Sequence, residues 1–171
     1  MKVWVRNLTK DRDFCIELPM DERELDKIID PNNEYIITDS EVVNMSEYDN
    51  IYELNEFLFD CKENGISIDT LEVLSRTYLY DEVIEMVDNL TFTIVDFDSE
   101  TYGWNCGTGG NFSNAFDKGM CLYHAIGYKP FSFEVTEENH DWIDWSSVWT
   151  NAETEDWREV VVNGNHYLVH R

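Results

Sequence analysis

From Ile28 to Cys61 the chain carries no lysine, arginine or histidine, and the same stretch holds Asp39, Glu41, Glu47, Asp49, Glu53, Glu56 and Asp60. Uncompensated carboxylates cannot enter a core, so every element built from this tract must be one-sided. Within it, "SEYDNIYELNEFLFD" reads as an amphipathic helix. At about 100° per residue, Asp49, Glu53, Glu56 and Asp60 fall within roughly a 60° sector, and Ile51, Leu54, Leu58 and Cys61 fall on the other side. The helix therefore has a core face and a carboxylate face. For one helix alone, a solvated surface explains this arrangement.

The pattern recurs. Lysine and arginine are absent again from Thr77 to Asp117, which carries Asp81, Glu82, Glu85, Asp88, Asp96, Asp98 and Glu100, and from Pro130 to Trp157. Overall 36 Asp and Glu stand against 12 Lys and Arg, a formal charge of -24 with a pI near 4.2. A compact chain with that excess repels itself at neutral pH. Yet 43% hydrophobic and 14% aromatic residues mark a folded protein and exclude a disordered acidic tail. The charge speaks against binding DNA or an anionic membrane and for a basic protein surface as partner. Halophilic adaptation would give a similar charge balance, but usually with fewer large aromatics.

The local patterns point to an α+β fold. "KVWVRNL" and "FCIELP" read as strands joined by the polar loop "TKDRD". A helix follows from Met20 and Asp21, with Leu25, Ile28 and Ile29 as its apolar stripe and Pro31 as its stop, and "EYIITD" returns as a strand. Two short helices are expected after Asp69 and around Asp81 to Asp88, then a strand at "TFTIVDFD" and a helix at "SNAFDKGMCLYHAIG" ended by Gly127. Trp142, Trp145 and Trp149 stand at helical spacing, an aromatic stripe of the kind that fills a core. "REVVV", Asn163-Gly164 and "NHYLVH" form a hairpin with a tight primed turn. The expected organisation is an N-terminal α+β domain over residues 1–65, a helical middle over 66–90 and a C-terminal α+β domain over 91–171.

Catalytic signatures are missing. Gly107, Gly109 and Gly110 lack the spacing and the Lys-Ser/Thr ending of a phosphate loop and read as a turn. Cys106, Cys121 and His124 supply an incomplete zinc set, so no metal and no cofactor is expected, and a small metal-dependent enzyme is the least favoured reading. His166 and His170 share a strand face but stand about 13 Å apart, too far for one metal. No apolar run approaches a membrane span and the first residues have no signal-peptide core, so the cytoplasm is the expected compartment, with reduced thiols.

"MKVWVRNL", "IELPMDERELDKII", "NEYIITDSE" and "SEYDNIYELNEF", in that order, resemble the first domain of ArdA-type antirestriction proteins, carried by bacterial conjugative elements and phages. "WIDWSSVWTNAETEDW" is similar in position to that family's Tyr-Ile-Asp-Tyr segment, with Trp142 and Trp145 where Tyr is usual. The match covers residues 1 to about 65 and thins beyond. Two departures set the chain apart: "TKDRDF" replaces a glycine-bearing turn, and "SSVW" stands in place of Tyr-Gly-Arg-Asp. The resemblance implies an elongated, usually dimeric mimic of duplex DNA, without enzymatic activity, that occupies the DNA-binding groove of a type I restriction-modification enzyme in the host cytoplasm. Asp39, Glu41, Glu47, Asp49, Glu53, Glu56, Asp60, Asp81, Glu82, Glu85 and Asp88 are then the candidate phosphate-mimicking acids. A CRISPR nuclease, whose nucleic-acid channel is also basic, is the alternative target.

Overall fold

A computed structural model describes residues 1–45, 49–99 and 110–171, and the chain divides into two compact α+β units, Met1–Leu90 and Thr91–Arg171. In the first, strand β1 (Lys2–Asn7) alternates strictly, burying Val3, Val5 and Asn7 and turning Lys2, Trp4 and Arg6 outward. That period of two gives the strand one core face. β1 is the central strand of an antiparallel sheet, flanked by β2 (Arg12–Glu17) and β3 (Tyr35–Ser40). Helix α1 (Glu22–Ile28) links the two outer strands; the Asp21 side chain caps it by accepting from the Arg23 amide. Leu25 and Ile29 are buried as the apolar stripe requires, but Ile28 is 42% exposed, because the helix ends there and Ile29 takes an extended conformation.

Helices α2 (Ile51–Glu63), α3 (Ile68–Ser75) and α4 (Tyr80–Asn89) complete this unit. α2 is capped by Asn50, whose side chain accepts from the Tyr52 amide, and it buries Ile51, Leu54, Phe57, Leu58 and Cys61. Asn55 is buried among them with its amide satisfied. It accepts from Met20 N at 2.8 Å and donates to Met20 O at 2.9 Å, stitching α2 to the segment ahead of α1.

The second unit closes on the expected hairpin. β5 (Arg158–Val162) and β6 (Asn165–His170) meet at Asn163 and Gly164, whose φ angles of 53° and 86° make the primed turn that matches strand twist. β6 is central, with β4 (Thr93–Asp96) antiparallel on its other edge. Helices α5 (Ala115–Ile126) and α6 (Trp145–Thr154) pack at unusually short range. A Cβ added at Gly119 would lie 2.0 Å from the Trp145 carbonyl oxygen, so only glycine permits this approach. Lys118, almost fully buried beside it, pairs with Glu159 and holds its ammonium 4.6 Å above the Trp149 ring.

The three tryptophans do not share one helix. Asp144 caps α6, accepting from the Ser147 amide and hydroxyl, so the helix starts at Trp145. Trp145 and Trp149 are core residues, whereas Trp142 belongs to a separate 3-10 turn, His140–Trp142, and is 85% exposed.

Candidate functional site

The carboxylate face of α2 is met by a second one. Glu53, Glu56 and Asp60 recur at spacings of three and four along α2, with Asp49 just ahead of its cap; Asp81, Ile84 and Asp88 repeat that spacing on α4. The two rows border a cleft of about 310 Å³ within the first unit, lined by Asp49, Glu53, Glu56, Asp60, Asp81 and Asp88 together with Asn50, Phe57, Tyr80 and Ile84. Phe57 and Tyr80 meet edge to face, ring centroids 6.0 Å apart. No lysine or arginine is among the lining residues.

Two neighbouring groups respond to this field. The Tyr80 phenol is pushed up, first by burial and then by the charges of Asp49, Glu53 and Asp81. It therefore remains a protonated hydroxyl among carboxylates. The Cys61 thiol is pushed up to about 12 by burial and then by Asp60 and Asp88, so it stays protonated at neutral pH. What the arrangement offers chemically is a concentrated negative field over an aromatic floor, suited to cationic side chains.

The remaining candidate acids lie elsewhere. Glu82 turns back along α4 and accepts from the Leu79 amide, serving the helix start, and Glu85 is exposed on α4 but does not line the cleft. On β3, Asp39 accepts from the Ser40 amide. Glu41, one residue past that strand, accepts from the Lys2 backbone, beside the sheet. Glu47 lies outside the described residues. The structure thus gathers six of the predicted acids and leaves Asp39, Glu41, Glu82 and Glu85 apart. Sequence reasoning missed the floor, Phe57 and Tyr80, although Phe57 stands one turn from Glu53 and Tyr80 one turn from Ile84.

Neither a family model nor a curated protein matches this chain.

Cys121 is buried on α5, and His124, one turn on, faces His140 with Nε2 atoms 3.4 Å apart. Burial, then the charge of His140, holds the His124 imidazole below its usual range. Cys106, Gly107 and Gly109 lie outside the described residues; among those described, no group of three or more His, Cys, Asp or Glu is placed to hold a metal. His166 Nδ1 stands 3.1 Å from both Asp98 carboxylate oxygens, while His170 stacks on Trp157. Among the described residues no helix is long and apolar enough to cross a membrane.

Proposed function

We propose that this chain is a non-enzymatic inhibitor that competes with nucleic acid for the basic groove of a DNA-handling enzyme, a type I restriction-modification enzyme being the target that the ArdA resemblance suggests. The observation that carries the reading is the cleft between α2 and α4, six carboxylates with no basic residue lining them. Duplex DNA carries one charge per roughly 1.7 Å, so the ~16 Å from Asp49 to Asp60 would hold about ten phosphates. The α2 face alone supplies four carboxylates, less than half that density. Asp81 and Asp88 bring the count to six, a little over half, so a groove of lysines and arginines evolved for phosphates would meet a field of the same sign at lower density.

Catalysis is not required for such an activity. Binding rests on complementary charge, which sets association rate and partner choice, and the displaced DNA is the functional output. The six acids would act together, with Phe57 and Tyr80 giving the rows a fixed support.

The experiment is a fourfold variant, Asp49→Asn, Glu53→Gln, Glu56→Gln and Asp60→Asn, compared with Asp39→Asn, Glu41→Gln as a control outside the cleft. The apolar face of α2 is untouched and like-charge repulsion falls, so thermal stability should hold or rise while inhibition of a purified restriction-modification enzyme drops at least tenfold. Full inhibition by the fourfold variant would return these acids to the status of a solvated face.

A further inference from the structure

Trp142 is the most exposed large hydrophobic side chain among the described residues, at 85%, and its backbone is fixed. Its amide donates to Asn139 O at 3.0 Å; the Asn139 side chain accepts from Thr136 N at 2.8 Å and donates to Glu134 O at 3.0 Å. On either side His140 and Ile143 are buried, and Trp145 begins α6 fully buried. The turn is therefore pinned from both sides with the indole outside. Water exposure of a tryptophan on a rigid support is costly, and such pre-ordered aromatics are what interface hot spots use.

The surroundings specify the occupant. Glu134, Glu137, Glu138, Asp141 and Asp144 are all exposed on this loop, and no lysine or arginine occurs from Pro130 to Trp157. From the same loop Phe133 stands half exposed, stacked on Phe131 at 4.4 Å between centroids. An exposed indole on a loop whose exposed charges are all carboxylates is complementary to a planar cation, since guanidinium can stack on the indole while its edge N–H groups donate to carboxylate oxygens. We infer that Trp142 anchors a second contact surface, in the C-terminal unit, for an arginine-bearing segment of a basic protein. This goes beyond the inhibitor reading and stands whether or not the partner handles DNA.

The test uses the full chain with two probes of equal charge, deca-arginine and deca-lysine. Long-range attraction to an acidic protein is shared by both peptides, whereas stacking on an indole favours arginine. Wild type should prefer deca-arginine, and Trp142→Ala should cut that preference about threefold or more, with Trp142→Phe in between. Melting temperatures should be unchanged, the indole being exposed. The indole N–H resonance missing from the Trp142→Ala spectrum should shift in wild type as deca-arginine is added. An arginine preference undiminished in Trp142→Ala, or a Trp142 resonance that does not move, would overturn the inference. So would a concentration-dependent dimer abolished by Trp142→Ala without any change in peptide preference, which would make a second copy of the chain the occupant.

Discussion

At the scale of single residues, the titrating groups show where charge is tolerated and where it is refused. His124 is partly buried against His140, and its conjugate acid is disfavoured in the folded chain. The unfolded chain takes up a proton below about pH 6.5 that the folded chain refuses, so this group costs stability as the pH falls through that value, until folded His124 protonates as well. His124→Gln keeps a polar atom near Nε2 and removes the titration. Between about pH 7.5 and about pH 5.5, wild type should lose more melting temperature than the variant, the carboxylates contributing equally to both. Equal losses would show that the His124 environment does not discriminate between the two protonation states. In the acidic cleft the same refusal of charge keeps a proton on: the Tyr80 hydroxyl holds its proton first because it is buried and then because Asp49, Glu53 and Asp81 are near, and neutralising Asp81 should lower its titration point.

Secondary-structure elements were legible in proportion to how local their causes are. The alternation of β1, the Asn163-Gly164 turn and the two faces of α2 each follow from neighbours in sequence, and the fold has them. The pairing of α2 with α4 does not, since sixteen residues, 64–79, separate them and only packing decides which acids share a cleft. Glu82 and Asp81 look equivalent in sequence, yet one closes a helix start and the other lines the cleft with Glu53 and Asp49. Helical spacing alone puts Trp142 in line with Trp145 and Trp149, but the Asp144 side chain sets where α6 begins and strands Trp142 outside it. Gly119 shows how tightly two elements can depend on one residue. Alanine there would gain about 1 kcal/mol of helix propensity, but its Cβ would meet backbone atoms of Trp145 and Trp149, which cannot rotate away. The clash should win, lowering the melting temperature of the C-terminal unit by roughly 5–10 °C. An unchanged or raised melting temperature in calorimetry would mean that α5 and α6 approach less closely than described.

For the whole molecule, a formal charge of -24 is a cost to folding and, in the proposed inhibitor, the means of finding a basic partner. Added salt should stabilise the fold by screening self-repulsion while weakening association with a basic groove, and this opposition in sign separates an electrostatic interface from a merely tolerated surface. The protein lacks the condensed counterions of DNA, so its binding should weaken with salt without copying the slope of DNA. The central claim, competition for one groove, is tested most directly by titrating the protein into a purified restriction-modification enzyme, with a CRISPR nuclease in parallel, across several salt and duplex concentrations. The dose needed for half inhibition should rise with duplex concentration and with ionic strength, and no complex should contain inhibitor and groove-bound DNA together. Tight binding that ignores salt, or a ternary complex with DNA still in the groove, would contradict the account.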